Sequence, residues 1–428
     1  MDHLIVFSHL RWDFVYQRPQ HLMSRLATRW PTVFIEEPVT GESALRGPWL
    51  ERAAPCRGVQ VWRPHVVGKA PGFHDDHLPA LYQLLATALR EERVHDYWTW
   101  FYTPMAYPLA AGLSPRGVVY DCMDELSAFK NAPRQLIQRE IALFKAANLV
   151  FTGGPSLFNA KRARHPSVHC FPSSVDARHF SHCAQDHPMQ SHLPRPRLGW
   201  CGVIDERVDL ALVQALADAR PHWQLVMVGP IAKIDPASVP HRPNIHWLGQ
   251  QSYDDLPEFI SGWDVCLLPF ALNEATRYIS PTKTLEYMAC GRPSVSTPIQ
   301  DVREPYGQWV AIADTHAGFI AACDAILTRD TAQRIRHAQA LSQVVRGTSW
   351  DATAQAMATL ITQADARTPA PPAFSRLRAQ PTSAPARAGT GSPRSTGAAA
   401  AAGTTRAAMP APQAAGPAGS GWRKPPPG

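Results

Sequence analysis

Along the first 366 positions, short runs of β-branched and aromatic residues alternate with longer stretches whose apolar residues recur at helical spacing. That alternation predicts βαβ units and parallel sheets, because two parallel strands need a crossover long enough to hold a helix. In the first half the strand segments fall at 4–8, 32–36, 59–62, 98–102, 118–121 and 149–152, with a helical pattern at 133–146. In the second half they fall at 197–203, 224–228, 245–248, 265–269, 294–297 and 309–312, with helical patterns at 209–219, 253–261, 281–289 and 317–327. The pattern occurs twice. It therefore predicts an α/β chain of two doubly wound, Rossmann-like domains, at 1–180 and 196–348, facing each other across a cleft. Residues 181–195, rich in His, Pro and Gln without periodicity, are the expected linker. A helix over 349–366, with Trp350, Met357, Leu360 and Ile361 as apolar anchors, is expected to close the globular body.

The pattern stops at 367. Beyond it Ala, Pro, Gly, Ser and Thr dominate and leave nothing to pack, so 367–428 is expected to be a disordered tail. Charge then changes the picture. Of the 42 basic residues eight lie in that tail, which has no Asp or Glu, leaving 34 basic against 35 acidic groups in residues 1–366. A near-neutral body without an evident basic stripe argues against a nucleic-acid partner. The basic tail instead offers a peripheral contact with an anionic membrane. Eight cysteines without a CxxC pair argue against a metal cluster or disulfide framework. The N-terminus does not resemble a signal peptide, and no apolar run approaches the ~18 residues that span a bilayer. The expected location is cytoplasmic, with the tail allowing a peripheral position at the inner face of the cell membrane.

Candidate chemistry sits where strands end. The segment from Tyr278 to Pro293 reads as a three-turn helix with Ser280 as N-cap, Pro281 at the first helical position and Gly291 and Pro293 past its end. Its N-terminus, Ser280, Pro281 and Thr282 with Lys283 in the first turn, suits a diphosphate. Glu286, three residues on, shares a face with Lys283 and suits ribose hydroxyls. Between the first strand and first helix, a loop dense in polar and aromatic residues offers His9, Asp13, Arg18 and His21 as catalytic candidates. Asp124, just past the strand at 118–121, is a candidate for positioning an acceptor hydroxyl or the donor sugar. No Asp-x-Asp stands where a divalent metal would be needed, so the expectation is metal-independent chemistry without a cofactor.

The segment from Tyr278 to Pro293, together with Leu225-Val226-Met227-Val228-Gly229-Pro230, Asn244–Gly249 and Leu256–Ile260, resembles the retaining GT-B glycosyltransferases of the family 4, or group 1, type. The run Gln17-Arg18-Pro19-Gln20-His21-Leu22 is similar to that of bacterial cell-surface polysaccharide glycosyltransferases, including the teichuronic acid type. The resemblance implies a nucleotide-sugar donor, UDP- or GDP-linked, held by Gly202, Arg207 and the 280–286 segment. It also implies a lipid-linked or polysaccharide acceptor and retention of configuration. Two positions depart from the family pattern. Tyr278 stands where a second acidic residue is usual, and Val203 where an Arg is usual, leaving Arg207 as the phosphate candidate. A GT-B nucleotide-sugar 2-epimerase and a non-catalytic nucleotide-binding scaffold are the rival readings.

Overall fold

The computed structural model describes residues 1–41, 47–181 and 185–367, so the tail reading for 368–428 and Cys183 lie outside the described residues. The first half runs β1 (His3–Ser8), α1 (Arg18–Leu26), β2 (Thr32–Glu36), β3 (Val39–Gly41), β4 (Trp49–Cys56), β5 (Val59–Val67), α2 (Leu78–Glu91) and β6 (Tyr97–Phe101). It continues with α3 (Tyr107–Leu113), β7 (Gly117–Cys122), α4 (Gln135–Ala146), β8 (Leu149–Thr152), α5 (Pro155–Lys161) and β9 (Val168–Cys170). These strands form one sheet in the order β3-β5-β2-β1-β6-β7-β8-β9, parallel except for β4, which pairs antiparallel with β5. The expected strands are all present. β3, β4 and β9 were not expected, because they are edge strands exposed or half-buried on both faces and show no apolar alternation.

Two short helices, α6 (Ala177–Ser181) and α7 (Pro188–Ser191), occupy part of the 181–195 stretch. The second sheet follows with β10 (Arg197–Cys201), α8 (Leu210–Ala219), β11 (Gln224–Val228), β12 (Ile245–Trp247), α9 (Leu256–Ser261), β13 (Val265–Leu268) and α10 (Thr282–Ala289). It is completed by β14 (Ser294–Ser296), α11 (Gln300–Tyr306), β15 (Ala311–Ile312), α12 (His316–Leu327) and α13 (Thr331–Val345). The strand order is β12-β11-β10-β13-β14-β15, all parallel. In both sheets the order reverses beside the first strand of the half, β1 or β10, which opens a crevice at the carboxyl ends.

The last helix, α14 (Trp350–Arg367), returns to the first half. Trp350, Ala354, Met357, Ala358, Ile361 and Ala364 recur at helical spacing and are buried in the cluster that also holds Leu22, Met23, Leu26, Trp98 and Trp100. Asp365 accepts a hydrogen bond from Trp98 Nε1 at 2.8 Å and lies 2.7 Å from Arg116 Nε. The closing helix thus completes the first half's core, although the second domain precedes it in the chain. A second tie joins the halves. Asp301 on α11 accepts from the Ser156 N–H at 3.0 Å, capping the N-terminus of α5. No helix among the described residues is long and apolar enough to cross a membrane.

Candidate functional site

The two crevices face each other, and between them lies a cavity of ≈ 870 Å³, solvent at its mouth included. From the second half it is lined by Gly202, Arg207, Ser280, Pro281, Thr282 and Lys283, and from the first by Arg18 and Asp124. The structure therefore brings together most of the residues singled out from the sequence.

The α10 helix is shorter than expected, with eight residues and about two turns. Its N-cap is Pro281, in extended conformation, and no side chain caps it. Ser280 does not cap because the chain is still extended one residue further on; its carbonyl instead accepts from Ser173 Oγ at 2.5 Å. Proline has no side-chain acceptor, and the first N–H groups of a helix have no intrahelical partner. The positive end of α10 is thus left open toward the cavity, an arrangement suited to phosphate oxygens.

Lys283 Nζ lies 3.0 Å from Glu286 Oε2, with the side chains 12% and 4% exposed, so the pair is not a solvated surface contact. Burial pulls the Lys283 ammonium down, but Glu286 and Cys201 together outweigh it and hold the group above the ordinary lysine value. Glu286 Oε2 receives no aligned hydrogen bond, which leaves the carboxylate with unused acceptor capacity. Behind the pair the strand ends close tightly. Gly202 and Gly229 adopt φ of 153° and 145°, and a Cβ on Gly229 would lie 1.8 Å from the Gly202 carbonyl oxygen.

Arg207 is less free than its position suggests. Asp205 holds it in a fork, with Nε 2.9 Å from Oδ1 and Nη2 2.7 Å from Oδ2, and its guanidinium stacks 5.5 Å from the Phe129 ring. An incoming phosphate would share this guanidinium with Asp205. Asp124 accepts no side-chain hydrogen bond among the described residues. Burial pushes its carboxyl up, against the pull of Arg207, Arg18 and Lys233. Of the described residues in the cavity, it is the carboxylate best placed to meet a substrate hydroxyl.

The loop after β1 behaves differently from the sequence expectation. Arg18 lines the cavity but is spent on Asp121 through Nε (3.1 Å) and Nη2 (2.9 Å), both side chains being buried, and on the Phe171 carbonyl. Asp13 is exposed and pairs with Arg63 at 3.1 Å, outside the cavity. His9 is half-buried, its Nδ1 shielded from solvent without a partner, and desolvation and Lys233 lower it to about 4. His21 stacks on Trp350 at 4.7 Å and meets Tyr16 and Tyr253 edge-on. Burial, with Arg25, Lys283 and His179 nearby, lowers it to about 2. It is a neutral ring in an aromatic stack.

The sign of that shift makes a prediction. The unfolded chain protonates its histidine near pH 6.5 and the folded one does not, so stability is present above that pH and lost as pH falls below it. Glu37, which burial pushes up to about 7, works in the opposite direction, so the comparison must be between proteins. Wild type should lose about 1.4 kcal/mol more per pH unit than His21→Phe between about pH 6 and pH 4, read by urea denaturation. Parallel pH profiles would assign His21 a different environment.

Sequence reasoning missed Lys233, held at φ 61° with its ammonium 5.3 Å from Phe129, and the stacked Tyr16 and Tyr253 rings, 4.6 Å apart across the halves. A lysine five residues past a strand carries no local signal. Strand-ending glycine pairs such as Gly153-Gly154, which precede Pro155 and let the chains approach, were available as one.

Residues 195–330 match the family described as "Glycosyl transferases group 1". Over 253 residues the chain is 26% identical to a Bacillus subtilis (strain 168) protein named for teichuronic acid biosynthesis as a glycosyltransferase, TuaH. That match spans 53% of this chain and 63% of the relative. Among solved structures, sucrose-phosphate synthase from Thermosynechococcus elongatus superposes with a TM-score of 0.65 at 16% identity, covering 86% of this chain and 100% of the other. An E. coli trehalose-6-phosphate structure bound with UDP-2-fluoro glucose gives 0.62 at 12%, covering 85% and 99%. Anabaena HepE in complex with UDP and glucose gives 0.60 at 12%, covering 85% and 100%. The chain has the GT-B fold, and residues 195–330 of its second half are similar to the glycosyl transferases group 1 family.

Proposed function

We propose that the protein is a glycosyltransferase that moves a sugar from a UDP- or GDP-linked donor to a hydroxyl of a cell-surface or exopolysaccharide intermediate, with retention. The observation that carries this reading is the uncapped α10 N-terminus opening on the cavity beside the buried Lys283–Glu286 pair. The diphosphate lies against the Thr282 and Lys283 N–H groups and the Lys283 ammonium. The Glu286 carboxylate accepts from the ribose hydroxyls. The acceptor oxygen bonds to the anomeric carbon as the bond to the diphosphate breaks, and the acceptor proton passes to the departing phosphate oxygen. No strong enzymic base is required. Asp124 aligns the acceptor hydroxyl, and Lys283, Arg207 and the helix end stabilise the charge that develops on the leaving group. The acceptor class follows the name of the Bacillus subtilis relative.

The test is release of nucleoside diphosphate from UDP- and GDP-sugars, with and without polysaccharide or lipid-linked acceptor. Acceptor-dependent release supports the reading. Isomerised nucleotide sugar without acceptor would identify an epimerase, and binding without turnover a scaffold. Because cationic side chains and N–H groups meet the diphosphate, turnover should persist in excess EDTA. A rate restored only by added Mg²⁺ or Mn²⁺ would place a cation in the reaction.

A further inference from the structure

The water side of α4 is not used by the proposed chemistry. At 3.6 residues per turn, Arg134 just ahead of the helix and Ile137, Gln138, Ile141 and Lys145 fall within an arc of about 100°. All five are exposed, Ile137 at 55% and Ile141 at 42%. The opposite side, with Leu136, Arg139, Glu140, Leu143 and Phe144, is buried. Two isoleucines one turn apart on the solvent side leave apolar surface in water, which packing among the described residues does not explain.

The sequence around them is basic. Residues 130–165 contain seven Lys and Arg and a single acidic residue, Glu140, in a body that is otherwise balanced. Glu140 is buried and taken up by Lys161 at 2.8 Å and Arg164 at 2.9 Å. Arg139 is buried, donating to the main-chain carbonyls of Phe73 and Met105 and pairing with Asp75. Arg134, Lys145 and Arg162 are exposed and form no ion pair among the described residues, while the Lys130 N–H donates to Glu206 Oε1 at 3.0 Å. Arg164, 4.9 Å over the Phe144 ring, holds the 162–164 turn on the flank of α4.

We propose that this face of α4 seats on an anionic lipid bilayer, with Ile137 and Ile141 entering the interface and the surrounding cations meeting headgroup phosphates. A protein partner of comparable stability would be expected to use aromatic anchors in a broad apolar patch. Two aliphatic side chains ringed by cations match an interfacial helix instead. The chain leads from α4 back through the turn Leu126–Ala128 to Asp124, so a seated α4 keeps the cavity near the surface where a lipid-linked acceptor would lie.

The seat is measured without donor or turnover, so its outcome is separate from that of the transferase reading. The full chain is sedimented with vesicles of phosphatidylcholine alone and of equal parts phosphatidylcholine and phosphatidylglycerol. Wild type should pellet only with phosphatidylglycerol. Ile137→Gln/Ile141→Gln and Arg134→Gln/Lys145→Gln should each lower the partition coefficient roughly tenfold or more, with thermal unfolding unchanged. Ile137→Leu/Ile141→Leu should behave as wild type. Pelleting of either glutamine variant at wild-type levels would place binding elsewhere, the basic tail foremost, and overturn the proposal. So would a wild-type chain that stays in solution with both vesicles.

Discussion

Lys283→Met should lower kcat/KM at limiting donor by one to two orders of magnitude and destabilise the fold by about 3–5 kcal/mol. The first loss is that of a charge-assisted contact to the diphosphate, worth about 1.5–3 kcal/mol. The second arises because Glu286, 4% exposed, is left as a buried carboxylate without its counter-ion. The two effects separate in the double variant Lys283→Met/Glu286→Leu. Replacing both partners by apolar side chains removes the unpaired charge, so stability should return toward wild type while activity stays lost. Urea denaturation and initial rates on the three proteins check this. Wild-type activity in the double variant would remove the pair from the site.

Gly229→Ala should be nearly as damaging, for a backbone reason. Its φ of 145° is a region that side-chain-bearing residues rarely adopt, and the added Cβ would meet a carbonyl oxygen, which no rotamer change can move aside. Strain and overpacking together should cost about 2–6 kcal/mol. The Gly202 carbonyl that must yield belongs to the floor of the cavity, so donor binding should weaken alongside stability. An alanine variant with unaltered unfolding and donor affinity would show that the strand ends relax freely.

Much of this was readable from the chain because the relevant signals are local. Proline, glycine and the spacing of Lys283 and Glu286 specify α10 within sixteen residues, and strands buried on both faces stand out as apolar runs. What was misplaced depends on distant partners. Arg18 reads as loop chemistry until Asp121, far along the chain, is found to hold both ends of its guanidinium. His21 reads as a catalytic candidate until Trp350 and Tyr253 arrive from the far end of the chain and from the second domain to enclose it. Ser280 was a sound N-cap by residue type, but the helix began one residue later, beneath a carbonyl engaged by Ser173. The edge strands β3 and β4 lacked the burial that writes alternation into sequence.

The central claim is that the donor nucleotide is held at the N-terminus of α10 with its ribose on Glu286. Calorimetric titration of UDP- and GDP-sugars into wild type and Glu286→Gln tests it most directly, since glutamine keeps the shape and removes the charge. A UDP- or GDP-sugar should bind wild type, and its affinity should fall about 10- to 100-fold in Glu286→Gln as charge-assisted bonds become neutral ones. Equal affinity in the two proteins, or no binding of any such donor to wild type, would contradict it.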